Sequence, residues 1–208
     1  MLGKVTFIAA LALASATLGA SACKKSQTRT TIPAAWRNPE FSGVPFGKLF
    51  IIGVARNGEY RRLYENSLVR ALEGEGAIAQ ASSEVFQEDE ELDGVQLLEA
   101  VRSGGFDAVV ITRLKSVDEE PVYVPGNPPT SSDLYMAGYD EAYALNSDPG
   151  YYKMALKYRL ETALYSARDA MVVWVVESET TDPHSVDEII QSVSALIATQ
   201  LKAEALIR

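Results

Sequence analysis

An uninterrupted apolar run at residues 49–54 (LFIIGV) constrains the fold of this chain more than any other feature of its sequence. A strand with one wet face alternates apolar and polar residues, whereas this run has no polar side chain on either face. Strands that are apolar on both faces occur in parallel sheets covered by helices on both sides. We therefore expect residues 49–54 to form the central strand of a layered α/β sheet.

Helical and strand patterns alternate between residues 60 and 112. An apolar stripe with helical spacing comprises Tyr60, Leu63, Tyr64, Ser67, Leu68, Ala71 and Leu72. Four charged residues are expected to point away from the core: Arg61, Arg62, Glu65 and Arg70. A short strand near 78–82 precedes a second helix, whose apolar residues are Val95, Leu97, Leu98 and Val101, and a third strand at 106–112 follows. Right-handed crossovers make the three strands parallel and place helices on both faces.

The second half of the chain indicates an antiparallel hairpin and a last helix. Residues 154–164 alternate between apolar and charged, and a tight turn at 167–169 leads into the apolar run 171–176, where Trp174 is expected in the core. Either Asp182-Pro183 or a capping box at residues 185–188 begins the helix. The predicted fold class is α/β, a mixed sheet with a βαβαβ parallel core followed by an antiparallel hairpin and a carboxy-terminal helix.

A segment rich in proline, glycine and tyrosine separates these halves at residues 121–152, and its composition predicts a long insertion loop. Its tyrosines are the candidate partner-binding residues: Tyr123, Tyr135, Tyr139, Tyr143, Tyr151 and Tyr152. Tyrosine combines a flat apolar face with a hydroxyl and is enriched where proteins meet partners. Packing of the loop on its own domain and stacking on a glycan are the alternative interpretations.

The amino terminus has the pattern of a signal peptide at residues 1–22. Lys4 precedes an uncharged stretch that is apolar at first and then small and polar. A retained membrane span is the alternative, but the polar residues in the second half disfavour it. Residues 23–45 are rich in Ser, Thr, Asn and Pro and predict a flexible tether, and residues 46–208 predict a single α/β domain.

Cys23, the single cysteine of the chain, is the predicted lipid-attachment site. Residues 20–22 form an A-x-A cleavage site, and together with Cys23 they resemble a lipobox that has Ala20 where leucine is usual. Two or three acyl chains would anchor the protein to the membrane durably. A free amino-terminal thiol is the alternative. By resemblance to the sorting rules of enterobacterial lipoproteins, Lys24 in place of aspartate implies an outer-membrane location facing the periplasm.

The charge and the residue inventory disfavour several classes of function. The chain carries a net charge of −9, which becomes −10 when residues 1–22 and their one lysine are removed, so nucleic acid is an unsuitable partner. His184 is the single histidine, and we expect it to have a surface or capping role. The acidic runs 88–91 and 118–120 lack the spacing of a cation loop. We therefore expect no catalytic residue, no metal site and no cofactor.

The arrangement of these motifs resembles a group of uncharacterised bacterial lipoproteins. The shared motifs are the residue 49–54 strand, Arg61-Arg62-Leu63-Tyr64-Glu65, Gly105-Phe106-Asp107-Ala108-Val109-Val110, Val173-Trp174 and Asp182-Pro183. More remotely, the order of elements is similar to the curli-secretion lipoprotein and to the amino-terminal domain of TolB, the periplasmic protein of the Tol system. These resemblances imply protein assembly at the envelope and supply no catalytic residues.

Anchor, tether and aromatic loop together favour a non-enzymatic accessory or assembly factor that binds envelope proteins. A lipoprotein that binds a glycan or a small solute is the alternative, and it predicts a deep pocket with convergent polar groups. A hydrolase is a third hypothesis, which requires a cleft with carboxylates of raised pKa. The sequence leaves the oligomeric state open.

Lipidation predicts that Cys23→Ser abolishes palmitate labelling, because the thiol is the acceptor of the acyl group. Metabolic labelling with a clickable palmitate, followed by membrane fractionation, measures both incorporation and attachment. Equal label and equal sedimentation for Cys23→Ser and the unaltered protein would contradict the anchored interpretation.

Overall fold

The computed structural model describes residues 29–86, 93–124 and 150–208. In that part of the chain a six-stranded mixed sheet, with strand order β1-β6-β5-β4-β2-β3, packs with three α-helices. The strands are β1 Arg29–Arg37, β2 Lys48–Val54, β3 Ile78–Ala81, β4 Ala108–Val124, β5 Tyr151–Ser166 and β6 Val172–Thr181. The helices are α1 Gly58–Gly74, α2 Gly94–Gly104 and α3 Val186–Ala203, with a short 3-10 turn at Ser82–Glu84. Within these residues, no helix has both the length and the hydropathy to cross a membrane.

The βαβαβ core is confirmed, with β2 between β3 and β4 and parallel to both. The side chains of β2 alternate between two separate apolar clusters, one on each face of the sheet. Leu49 and Ile51 pack in the larger cluster with α1 and α3, whereas Phe50 and Ile52 pack on the other face with residues at the end of α2. Both faces of β2 are therefore buried, which is the physical reason for its unbroken apolar sequence.

The antiparallel hairpin is also confirmed, because β5 pairs antiparallel with β6 and places Leu164 opposite Trp174. Trp174 is fully buried, and its Nε1 donates to Glu204 Oε1 at 3.0 Å. The capping-box alternative is confirmed at the start of α3, where the Glu188 N–H donates to Ser185 Oγ at 3.2 Å. The buried residues of this helix include Ile189, Ile190, Val193, Ile197 and Leu201.

The predicted tether and the predicted loop both need correction. Residues 29–37 of the tether form edge strand β1, paired antiparallel with β6. An edge strand is half exposed and admits a proline, here Pro33 at a register irregularity, so its sequence lacks the alternation of a central strand. The loop predicted at 121–152 is strand at both ends, because β4 continues to Val124 and pairs there with Tyr151 of β5. Residues 23–28 and 125–149 lie outside the described residues.

The prediction that Arg61 and Glu65 face solvent is wrong. Glu65 is fully buried, and its carboxylate accepts hydrogen bonds from Gly53 N at 2.9 Å, Ser82 Oγ at 2.6 Å and Ser83 N at 2.8 Å. Arg61 Nε also lies 3.3 Å from Glu65 Oε1. These donors offset the cost of removing a carboxylate from water, and helical periodicity contains no information about them.

Three residues assigned to apolar helical stripes are instead exposed, namely Tyr60 of α1 and Val95 and Leu98 of α2. On α2 only Val101 is buried, and the helix ends at Gly105, whose φ of 63° favours glycine. These residues are exposed because the core contacts only a narrow strip of each helix, and the predicted apolar stripes are wider than that strip.

Replacing Glu65 with alanine is expected to lower the free energy of unfolding by about 3–5 kcal/mol, because Arg61 would remain buried without its carboxylate. Urea denaturation followed by circular dichroism measures the change. The matched control is Glu73→Ala, an exposed position on the same helix, where the change is expected to stay within about 0.5 kcal/mol. Similar values for the two variants would contradict this role of Glu65.

Candidate functional site

Strands β4 and β5 form a long hairpin that extends past the helices. Their ladder runs from the Ala108–Ser166 pair to the Val124–Tyr151 pair. Thr112 and Thr162, which face α1, are buried, whereas Leu114, further along the same face, is 53% exposed. The three described helices therefore do not cover the outer part of this sheet face.

One face of this hairpin is apolar and exposed. Residues opposite one another in an antiparallel ladder share a face, so the pairs Tyr123–Tyr152, Pro121–Met154 and Glu119–Leu156 place their side chains on one side. The Tyr123 and Tyr152 rings lie 5.3 Å apart between centroids. We call this surface the apolar hairpin face, and it consists of Leu114, Val117, Tyr123, Tyr152, Met154 and Leu156, which are between 44% and 72% exposed.

The opposite face carries a network of ion pairs that we call the charge ladder, consisting of Asp118, Glu120, Lys157, Arg159, Glu177 and Glu179. Arg159 Nη2 lies 2.5 Å from Glu120 Oε1 and 3.0 Å from Glu179 Oε2. Lys157 Nζ lies 2.8 Å from Glu120 Oε2 and 3.2 Å from Glu179 Oε1. Each cation therefore joins β5 to both of its neighbours, β4 and β6. This cross-linking holds the three strands together beyond the helices.

The charge ladder shifts the pKa values of its members. The hydrogen bond from Arg159, followed by that from Lys157, lowers the pKa of Glu120 below its ordinary value of 4.5. The same carboxylate raises the pKa of both Arg159 and Lys157. All three groups are therefore charged at neutral pH, and the ladder keeps its pairing there.

The structure brings together two of the six candidate tyrosines, Tyr123 and Tyr152. Tyr151 is adjacent in sequence but points to the other face, because side chains alternate along a strand. Tyr135, Tyr139 and Tyr143 lie outside the described residues, as does Cys23. The apolar hairpin face also includes Met154 and Leu156, the first apolar residues of the alternating run at 154–164, and Leu114 and Val117, for which no sequence pattern predicts a role.

The other chemical candidates have structural roles. Asp118 and Glu120 are paired in the charge ladder, while Glu119 lies on the opposite face. His184 is exposed beside the start of α3, and its Nδ1 lies 3.1 Å from Glu188 Oε2. Across residues 29–86, 93–124 and 150–208, no three His, Cys, Asp or Glu side chains group as metal ligands. The acidic run at 88–91 lies outside the described residues.

The charge ladder was missed from the sequence, although a signal for it was present. Lys157 and Arg159 are two residues apart, and so are Glu177 and Glu179, which is the spacing of neighbours on one face of a strand. Opposite charges with this spacing in two adjacent strands favour cross-strand ion pairs. The contribution of β4 to the ladder was not recognisable. The sequence pattern predicts that this strand ends at residue 112, before Asp118 and Glu120, whereas β4 continues to Val124.

No family model matches the chain, and no curated protein matches it. The solved structure of the PelC dodecamer from Paraburkholderia phytofirmans is similar, with a TM-score of 0.47 and 12% identity over 86% of this chain and 99% of that one. The crystal structure of lipoprotein GNA1162 from Neisseria meningitidis is also similar, with a TM-score of 0.39 and 10% identity over 76% of this chain and 99% of that one.

Both likenesses are remote, since both TM-scores are below 0.5, and they assign no family or role to the chain. Neither structure is the curli-secretion lipoprotein or TolB, so those narrower resemblances stay predictions.

Replacing Arg159 with glutamine is expected to raise the pKa of Glu120 toward 4.5, because the largest cause of its lowering is removed. In the unaltered protein the folded pKa is below the unfolded one. The contribution of Glu120 to stability is therefore present above about 4.5 and is lost as the pH falls through the folded pKa. NMR titration of the Glu120 carboxyl carbon measures the shift.

The matched control is Arg113→Gln, which removes a cation paired with Glu161 and is expected to leave the pKa of Glu120 unchanged. An identical Glu120 titration in Arg159→Gln and in the unaltered protein would show that the ladder does not set this pKa.

Proposed function

We propose that the protein is a non-enzymatic accessory or assembly factor of the cell envelope that binds protein partners through the apolar hairpin face. Cys23 would anchor it by lipid to the outer membrane on the periplasmic side, as the leader and Lys24 predict. The single observation that carries the proposal is the exposure of six apolar or aromatic side chains on one face of an ordered hairpin.

Exposed apolar patches of this kind are rare on proteins that act alone, because their contact with water is unfavourable. The composition of the face also fits an interface, since tyrosine and methionine are enriched at interfaces. A partner that covers Tyr152, Met154 and Leu156 would remove apolar surface from water at about 25 cal/mol per Å². The charge ladder behind the face supports binding as well, because a rigid surface loses less entropy when it binds.

The proposal predicts that a photo-crosslinking residue at Tyr152 captures defined partners in living cells, whereas one at Val95 on α2 does not. The two positions are matched, because their side chains are 72% and 70% exposed. In the variant Met154→Ser/Leu156→Ser, the crosslinks from Tyr152 are expected to weaken at least about tenfold, because the contact loses two buried apolar groups. Quantitative mass spectrometry of the crosslinked species measures this change.

A second control is Leu98→Ser, which removes an exposed apolar side chain from α2 and is expected to leave the Tyr152 crosslinks unchanged. Equal crosslinking of proteins from Tyr152 and from Val95 would indicate nonspecific association. Crosslinks that persist in Met154→Ser/Leu156→Ser would show that the apolar hairpin face is not the partner site.

A further inference from the structure

The predicted lipid anchor and the long hairpin emerge from the same end of the sheet. Arg29, the first residue of β1, lies in one row across the sheet with Lys157 of β5 and Asp118 of β4. Beyond this row β4 and β5 continue together as residues 119–124 and 151–156, six residues each. At ~3.3 Å per residue, the hairpin therefore extends past Arg29 by about 20 Å.

The chain between the anchor and the sheet is short, and its length restricts how the domain stands on the membrane. Cys23 precedes Arg29 by six residues, which in any conformation span at most about 20 Å. A lipid on Cys23 therefore keeps the start of β1 within this distance of the bilayer. The turn at Arg168 follows the opposite end of β5, where Ser166 is nine residues from Lys157, or about 30 Å. The hairpin end therefore faces the membrane, and the turn at Arg168 faces away from it.

The apolar hairpin face runs lengthwise from this end toward the body of the domain. Between Tyr152 and Leu160 it follows eight residues of β5, or about 25 Å. At the inner end, Leu114 and Leu160 also line an apolar pocket of about 270 Å³ between the starts of α1 and α3. A partner that covers this strip therefore has to extend away from the bilayer by a similar distance.

A flat lipid surface does not fit the strip. Helices α1 and α3 pack on the same side of the sheet, so they stand about 10 Å above the apolar hairpin face. A bilayer would meet these helices before it reached Leu114, and it would cover the tip of the hairpin alone.

Insertion of the hairpin into the bilayer is unfavourable for a different reason. The charge ladder lies on the back of the same strands, with Lys157 and Arg159 bound to Glu120. Inside the bilayer these charges would lose their contact with water. A protein that covers one face of the hairpin leaves them in water, so the geometry favours a protein over lipid as the occupant of the face.

From this geometry we infer that the partner of the apolar hairpin face is an integral protein of the membrane that holds Cys23, bound along the part that rises from the bilayer beside the anchor. The inference rests on the proposed function, which supplies the anchor and the docking face. It adds the location of the partner. A protein fixed in the same membrane is confined to the surface at which the short tether holds the hairpin, and this confinement raises the effective concentration of the two.

Energy transfer to a lipid surface tests the orientation with the full-length lipidated protein in vesicles that contain no partner. Tyr152→Cys and Arg168→Cys each provide one thiol for a donor dye, because the thiol of Cys23 is alkylated in a lipoprotein. Both positions are exposed. With acceptors on the lipid headgroups, the dye at 152 is expected to lie about 45 Å closer to the lipid than the dye at 168, since 14 residues of β5 separate 152 from 166.

A longer tether provides the control for this measurement. Insertion of 24 Gly and Ser residues between Thr28 and Arg29 is expected to abolish the difference between the two dyes, because a flexible chain of this length no longer orients the domain. The matched control replaces Ser26, Gln27 and Thr28 with Gly-Ser-Gly, which keeps the length of the tether, and it is expected to retain the difference.

The class of the partner is tested in living cells by photo-crosslinking from Tyr152. Mass spectrometry identifies the crosslinked proteins, and each is then fractionated from cells that lack the present protein. We expect a partner with membrane-spanning segments that stays in the membrane fraction after an alkaline wash.

Three results would overturn the inference. These are equal energy transfer from 152 and 168, a difference that survives the 24-residue insertion, and a crosslinked partner that is found in the soluble fraction. The second result would show that the lipid itself holds the hairpin. A soluble partner would leave the proposed function standing, whereas the absence of any defined partner at Tyr152 would overturn the proposed function together with this inference.

Discussion

The buried carboxylate of Glu65 is the interaction on which the parallel half of the structure depends. It binds the backbone of Gly53 at the end of β2 and of Ser83 in the turn after β3, while belonging to α1 itself. Three elements are thus joined at one group, and Arg61 balances its charge. An apolar residue at this position would leave two main-chain donors unsatisfied, which explains why a charge lies in the core.

The long hairpin depends on a different constraint, the alternation of side chains along a strand. Among the residues that the structure describes, no helix packs on the outer part of β4 and β5. There, Lys157 and Arg159 with four carboxylates of the charge ladder hold the strands together. The same alternation places Met154 and Leu156 on the other face, in water. The charged and the exposed apolar surfaces are therefore the two faces of the same strands.

Sequence patterns were informative where one element determines its own structure. The apolar run at 49–54, the alternation at 154–164 and the capping box at Ser185 each depend on neighbours within a few residues. Sequence patterns failed where the structure of a segment depends on a partner that is distant in the sequence. Residues 29–37 form strand β1 because they pair with β6, and β4 extends to Val124 because β5 pairs with it along this length. The position of Glu65 in the core likewise depends on donors from β2 and from the turn after β3.

The sequence by itself determined the α/β class, the order of the central elements and the burial of Trp174, because composition and periodicity are local properties. The leader and the lipidation of Cys23 stay predictions. Only the tertiary structure decided that Tyr123 and Tyr152 lie together while Tyr151 turns away, and that Glu65 of α1 meets donors from β2 and from the turn after β3. The physical reason is that strand register and helix packing are set by contacts between segments far apart in the chain, which no local pattern records.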